Sequence, residues 1–414
     1  MDLRKEIKVS DLFKRGKNEP VADTEAAAEK PAKEKRSFSL SRKPKEPRAL
    51  RERTPKTGSP KRHKKLVGLK IGASQLAAAR VVNNGSPEVV QLARAGLDPG
   101  IIVGGELREP DALSDALKTF FRKNKLPRQG VRLGIASNRI GVRVFEIGGI
   151  QDPKQLENAI RFRAQETLPI PLEDAVLDYQ ILGETVDEEG GTKQRVLLVV
   201  AYRDLVDRYA AACRKAGIRL AGVDLEAFAL LRALGGTSTE ATNAAVVVVT
   251  VGHERSTLAV SNGEICEFTR VIEWGGQNLN VAIARALDVA PSEAEPVKHS
   301  LSLLEPAESM ELEAERAAQV RTAVHQELQT FARELVSSLQ FYQGQPGSLG
   351  IAEIVVTGGT AQLPGLDAEL ARLIGVKVRV GDPLARVELG KKVGSGTDHA
   401  LASLAVAIGL GIES

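Results

Sequence analysis

The strongest constraint in this chain is a pattern of three apolar runs that each stop at a Gly-bearing turn. The first is Leu66-Val67-Gly68-Leu69-Lys70-Ile71-Gly72-Ala73-Ser74, the second Val246-Val247-Val248-Val249-Thr250-Val251-Gly252, and the third Ile354-Val355-Val356-Thr357-Gly358-Gly359-Thr360. A strand ending in such a turn brings backbone N–H groups up to a phosphate, because glycine removes the side-chain bulk that blocks close approach. Hydrolysis needs more: a group, usually a carboxylate, that holds magnesium or orients a water. Lys70 and Thr250 stand where the first two turns would carry that carboxylate. The pattern therefore predicts the shape of a phosphate cradle with its acidic chemistry removed.

With 414 residues and 43% apolar content, the chain can bury two or more domain cores. Its net charge of +4 conceals a split: residues 1–65 hold 21 Lys/Arg against 10 Asp/Glu, and the remainder 36 against 43. A segment so rich in Lys, Arg, Glu, Pro, Ser and Ala cannot bury enough apolar surface to offset its ordering entropy, so 1–65 is expected to be a disordered basic tail. A solvated linker and a contact with a polyanion or anionic membrane both suit that composition. Nucleic-acid recognition does not, since Phe38 is the one aromatic residue in 16–65 and no reading module accompanies it. Within the tail, residues 5–15 place Ile7, Val9, Leu12 and Phe13 among Lys and Arg, which fits either a short docking motif or an incidental apolar cluster.

Met1 to Arg15 lacks the uninterrupted apolar segment of a signal peptide, and Ala400 to Ile412 is shorter than the ~20 residues of a bilayer span. Cys213 and Cys266 are isolated, as suits a reducing compartment. The five His residues are scattered without a ligand pattern. A cytoplasmic protein with no metal site is expected.

Alternating strand and helix patterns favour an α/β architecture. Strand character appears at 67–71, 77–82, 89–95, 131–136 and 142–147, then again at 244–250, 256–260 and 265–271. Helical spacing marks 110–123, with Leu113, Leu117 and Phe120/Phe121. Both strand groups open alike, which implies two related lobes with a cleft between their first turns. Between them lies a β-α-β-β-α insertion: a helix over 152–167 with Leu156, Ile160, Phe162 and Ala164 as its apolar positions, strands at 175–182 and 196–201, and a helix over 204–216. From 308 to 341, Val320, Val324, Leu328, Phe331, Leu335 and Leu339 recur at helical spacing and form one core-facing stripe. Trp274 is expected to pack in the core or a hinge, and His253 and Glu254 to lie on a surface turn.

Several segments, in order, resemble the type IV pilus assembly protein PilM family. They are Gly68 to Ser74, Leu97-Asp98-Pro99-Gly100-Ile101-Ile102-Val103-Gly104-Gly105-Glu106, Glu166-Thr167-Leu168-Pro169-Ile170-Pro171-Leu172-Glu173, Leu177-Asp178-Tyr179-Gln180, Val223-Asp224-Leu225-Glu226-Ala227-Phe228, Thr269-Arg270 with Gly275-Gly276, Ser338-Leu339-Gln340-Phe341-Tyr342, and Gly358 to Gly365. The resemblance covers about 66–412. It implies an actin-like, two-lobed α/β fold with an inserted subdomain of the FtsA and PilM type. The corresponding boundaries are 66–147 with 221–243 for the first lobe, 148–220 for the insertion and 244–412 for the second lobe.

The same resemblance implies an ATP or ADP site, with Gly72, Ala73, Ser74 and Gly252 at the phosphates. Gly275, Gly276, Glu295, Lys298, Gly358, Gly359 and Thr360 would lie around the nucleoside. The family pattern expects Asp at the positions of Lys70 and Thr250, so magnesium and hydrolysis are in doubt and no catalytic residue is assigned. Lys70 either meets a phosphate directly or pairs with a carboxylate from the other lobe; Glu226 either faces the cleft or braces the joint. The implied partner is a PilN-like inner-membrane protein whose N-terminal peptide docks near Gln165, Leu168, Pro169, Ile170 and Leu172. The tail, through Ile7, Leu12 and Phe13, is a candidate contact for an assembly motor. Two alternatives stay open: an active ATPase of the actin superfamily, and an FtsA-like membrane tether for cell division.

Overall fold

The computed structural model describes residues 64–148, 150, 152–167, 171–186, 191–235, 244–304, 312–345, 347–391, 393 and 401–413. The tail with Ile7, Leu12 and Phe13, the segment Leu168 to Ile170 and the first residues of the expected long helix lie outside the described residues.

The chain opens with β1 (Lys65–Ile71), β2 (Gln75–Asn84) and β3 (Ser86–Gly96), an antiparallel meander. A small hairpin, β4 (Ile102–Val103) and β5 (Glu106–Leu107), leads to α1 (Pro110–Lys123) and β6 (Gln129–Ile135). Proline opens α1 and Arg122 and Lys123 close it, in keeping with the helix dipole. Leu113, Leu117, Phe120 and Phe121 face inward as their spacing predicts. β6 lies parallel to β1, so both strands end on the same side.

The insertion follows: β7 (Ile140–Gly148), α2 (Pro153–Thr167), β8 (Ala175–Val186), β9 (Thr192–Tyr202) and α3 (Arg203–Lys215), with the three strands ordered β7-β9-β8. Leu156, Ile160 and Ala164, each four residues apart, pack on Val196, Leu198 and Val200. Phe162, expected on the same face, is instead 61% exposed. Two residues beyond Ile160 corresponds to about 200° of helical rotation, so the side chain points away from the sheet. α3 leaves this sheet to pack on α1 and on β10 (Arg219–Leu225), which extends the first sheet beside β6.

From β10 the chain runs into α4 (Glu226–Leu234) and the second lobe. Strands β11 (Ala244–Val251), β12 (Ser256–Ser261) and β13 (Cys266–Ile272) precede α5 (Gly276–Leu287), α6 (Pro291–Ser300) and α7 (Ala314–Gln343). β14 (Gly350–Thr357), α8 (Leu366–Ile374) and β15 (Lys377–Val380) complete a sheet ordered β13-β12-β11-β14-β15. The predicted stripe of α7 is buried throughout, from Val320 to Leu339. Trp274 stacks on its Phe331, with ring centroids 4.1 Å apart.

The last elements return to the first lobe. β16 (Glu388–Leu389) pairs with β3, and α9 (Leu401–Gly411), expected within the second lobe by chain order, is buried on every side between α4 and the first sheet. A helix with no polar face requires such a position. Glycines let the backbones touch: a Cβ on Gly68 would lie 2.0 Å from the Ala407 carbonyl oxygen, and one on Gly409 1.8 Å from that of Ala229. Arg132 donates to the carbonyls of Leu410 and Ile412 at 3.1 and 2.8 Å, and Arg232 to that of Gly409 at 2.9 Å. Two guanidinium groups thus meet the negative end of the α9 dipole. Burial nonetheless pushes Arg132 down to about 10. The two lobes are joined through α4 and α9.

Candidate functional site

All three Gly turns follow the carboxyl ends of parallel strands. β1, β6 and β10 end together in the first sheet, and β11 and β14 in the second. Ligands of open α/β sheets bind at such ends. The turn after β1 is closed by Gly72 N–H donating to the Gln75 carbonyl at 2.9 Å, and the turn after β11 by Gly252 N–H donating to that of Arg255 at 3.0 Å.

At the end expected to take phosphate, Lys70 is paired. Its Nζ lies 3.3 Å from Glu226 Oε2, with the two side chains only 15% and 8% exposed. The register explains the contact. Lys70 sits beside Gly134 of β6, and Gly134 beside Asp224 of β10. Lysine and glutamate meet beside Gly134 of the middle strand, where a Cβ would lie 2.7 Å from Leu410 Cδ1 and in ordinary contact, at 3.4 Å, with Glu226 Cγ. The partner carboxylate therefore belongs to the joint that follows the same sheet, not to the other lobe as one expectation had it. Asp224 is itself bound to Arg232.

His253 and Glu254, expected on a surface turn, face the cleft together with Arg255. Glu254 Oε2 accepts from Gly104 N–H at 2.9 Å, and Arg255 Nη2 donates to the Ala136 carbonyl at 3.3 Å. The Arg255 guanidinium occupies the space beside Gly105, where a Cβ would lie 0.9 Å from Nη2. From the opposite side Tyr209 Oη donates to the Gly105 carbonyl at 3.2 Å. What remains is a cavity of about 100 Å³ lined by Lys70, Gly72, Ser74, Glu226, Thr250 and Arg255 among others, against roughly 300–1,000 Å³ for ordinary ligand pockets.

These residues do not fit a magnesium triphosphate. The acidic side chains lining the cavity are Glu226 and Glu254, and both are engaged, one by Lys70 and one by a backbone N–H. No group of three or more His, Cys, Asp or Glu suited to a metal forms among the described residues.

The end expected to take the nucleoside is built differently. Gly276 and Gln277, at the start of α5, donate to the carbonyls of Gly252 and His253 at 2.9 and 2.7 Å, while Thr360 Oγ1 donates to the Gly252 carbonyl at 3.2 Å. Gly358, with φ +99°, permits close passage by Val251; a Cβ would meet its carbonyl oxygen at 2.4 Å. Lys298 Nζ approaches Gly276 from α6, 3.5 Å from where a Cβ would stand. The structure thus brings Gly252, Gly275, Gly276, Lys298, Gly358 and Thr360 together. Gly72, Ala73 and Ser74 line the phosphate-end cavity, and Glu295 turns toward His299 at 3.7 Å. Burial lowers the Lys298 ammonium, with Glu295 opposing, and burial followed by Lys298 lowers the His253 imidazole.

A second cavity of about 150 Å³ lies where β6 passes into β7, beside β13. Ile135, Ile140, Leu225 and Val271 give it apolar walls; Thr269 and Arg270 are polar members of its lining. Nearby, Asn138 Nδ2 donates to Glu273 Oε1 at 3.0 Å and Arg195 pairs with Glu267 at 3.1 Å, tying the insertion to the second lobe. Of the expected docking segment, Gln165 is exposed at the end of α2, and Leu172 packs against the insertion core. Sequence reasoning missed Gly104, Gly105, Ala136, Tyr209 and Arg255 as cleft residues; the Gly-Gly pair was the available signal.

Two lobes with cleft-facing Gly turns, an inserted subdomain and two joining helices define an actin-like fold. The chain belongs to the type IV pilus assembly protein PilM family, whose model matches residues 68–414. A solved PilM-PilN type IV pilus biogenesis complex is 26% identical, with TM-score 0.70, over 84% of this chain and 97% of that one. The ethanolamine utilization protein EutJ from Carboxydothermus hydrogenoformans, 15% identical with TM-score 0.50 over 86% and 92% of the two chains, shares the fold. Cell division protein FtsA of Escherichia coli is 31% identical over 236 residues, which are 52% of this chain and 55% of that protein. The chain thus spans about half the length of that relative. No helix among the described residues is long and apolar enough to cross a membrane.

Proposed function

We propose that this chain serves type IV pilus assembly as a docking scaffold: it holds the N-terminal cytoplasmic peptide of a PilN-like inner-membrane protein and turns over little or no ATP. The observation that carries the second half is the Lys70–Glu226 pair, which puts a cation where metal-dependent cleavage of a triphosphate needs an acid. The first half is supported by the likeness to the PilM-PilN complex across nearly all of that chain.

Two seats suit an apolar peptide. The cavity beside Ile140 has room for one aliphatic side chain, and the surface near Gln165 and Leu172 is the seat implied by the sequence motif. Burying two or three apolar side chains contributes about 1.5–3 kcal/mol each, enough for micromolar docking after ordering costs. Any nucleotide would be held from the Gly276, Lys298, Gly358 and Thr360 end. On this reading the protein lies in the cytoplasm against the inner membrane, bound there through its partner, with the tail free to meet a further component such as an assembly motor.

The test is fluorescence anisotropy with a labelled N-terminal peptide of the PilN-like protein, alongside phosphate release from magnesium ATP. Micromolar binding, weakened tenfold or more by Ile140→Asp or Leu172→Asp and accompanied by no steady phosphate release, supports the reading and selects the seat. Steady release abolished by Gly252→Val would restore the ATPase alternative.

A further inference from the structure

The misfit between this cleft and a metal–triphosphate has a structural counterpart on its opposite wall. The β4–β5 hairpin turns through Gly104 and Gly105, with φ +55° and +72°, the two consecutive positive values of a tight type I′ turn. Its tip is held from both sides. Tyr209 Oη grips the Gly105 carbonyl from α3, and Arg139 reaches Glu106 at 3.4 Å while pairing with Asp204 at 2.6 Å. From the second lobe, Glu254 takes the Gly104 N–H and Arg255 lies in the space beside Gly105 on its way to the Ala136 carbonyl.

We propose that this hairpin and the turn His253 to Arg255 form a strap that holds the two lobes closed without metal or nucleotide. In a nucleotide-gated cleft, bound phosphates and their cation draw the facing turns together. Here a carboxylate on a backbone N–H and a guanidinium on a backbone carbonyl span the same gap. Charged hydrogen bonds of this kind are stronger than neutral ones and need no ligand to form. Gly105 is required twice, once for its positive φ and once because any side chain would displace Arg255. The strap goes beyond the docking reading and does not depend on it: a protein that failed to bind a PilN-like peptide would still carry the strap.

Hydrogen exchange on the full chain tests this, first in EDTA and then with magnesium ATP. The amides of residues 101–107 are expected to be protected in EDTA and to change less than about twofold when magnesium ATP is added. Glu254→Ala should speed exchange at Gly104 by about tenfold or more, as loss of a charged hydrogen bond dictates. Gly105→Ala, which displaces Arg255 without touching either charge, should loosen the same segment. In both variants the amides of α7 should keep their protection, which separates local opening from unfolding. Free exchange of the wild-type hairpin in EDTA, with protection appearing only on adding magnesium ATP, would overturn the proposal. So would unchanged hairpin exchange in both variants. If a variant does not fold, the wild-type comparison alone decides.

Discussion

Glu226→Gln strands the Lys70 ammonium, and its cost follows from the geometry of the pair. At 3.3 Å and an effective dielectric constant of about 20, two unit charges attract by about 5 kcal/mol. Both groups gave up water to reach this position, and the glutamine amide still accepts a hydrogen bond, so only part of that attraction is lost. Breaking a fully enclosed pair costs about 3–5 kcal/mol. Lys70 keeps 15% exposure to the cleft, which lets water take over part of the solvation and places the expected loss at about 2–3 kcal/mol. Lys70→Met leaves the less exposed partner uncompensated and should cost at least as much.

The double variant Lys70→Met with Glu226→Leu removes both charges and keeps the volume, and should return to within about 1 kcal/mol of the wild type. Urea denaturation of all four proteins, followed by far-ultraviolet circular dichroism and the fluorescence of Trp274, gives the cycle directly. The reasoning requires shifted midpoints at unchanged slope. A coupling energy below about 0.5 kcal/mol, the level of an exposed surface pair, would refute it and would mean that Lys70 is available to a ligand.

Other outcomes follow from the same contacts. Gly409→Ala drives a Cβ to 1.8 Å from the Ala229 carbonyl oxygen, so α4 and α9 must separate; a loss of about 3 kcal/mol or more in urea denaturation is expected. Trp274→Ala removes the ring stacked on Phe331 and should cost about 3–5 kcal/mol by the same measure. His253 titrates below the free imidazole value of about 6.5. Between its folded and unfolded values the unfolded chain binds more protons, so stability should fall as pH drops through about 6.5, and His253→Gln should flatten that fall. Among the described residues no acidic cluster suited to a metal forms, so the melting temperature should be the same with magnesium or EDTA to within about 1 °C.

The strands that end in Gly turns were legible because long Val and Ile runs resolve only as buried strands. The face of α7 was legible because its apolar spacing holds from Val320 to Leu339. Less could be read where one residue answers to two neighbours. Phe162 is apolar like Leu156, Ile160 and Ala164, but it stands between Arg161 and Arg163, and the 156, 160 and 164 series leaves it on the outer face. The hairpin at 102–107 has strands of two residues each, too short for any period to register. Polar residues after a strand usually mark a solvated turn, and nothing local to His253, Glu254 and Arg255 reveals the Gly-Gly hairpin nearly 150 residues away. The identity of the Lys70 partner depended on register: only once Gly134 lies between Lys70 and Asp224 does Glu226, two residues past Asp224, come within reach.

That register also bears on how an actin-like body with lysine at the end of β1 could hold a partner. A peptide seat built where the insertion meets the lobes works only if the insertion is held in place. Asn138 with Glu273 and Arg195 with Glu267 fix it to the second lobe, so any opening of the cleft would pull on the same contacts. In a scaffold such opening is a loss, since each accessible open state lowers the fraction competent to bind and weakens apparent affinity in proportion. The Lys70–Glu226 pair ties β1 to the start of α4, and the buried helices α4 and α9 resist movement at the joint. Lysine at the end of β1 therefore sets a cation at the mouth of the cleft and, through Glu226, braces the joint that follows the same sheet.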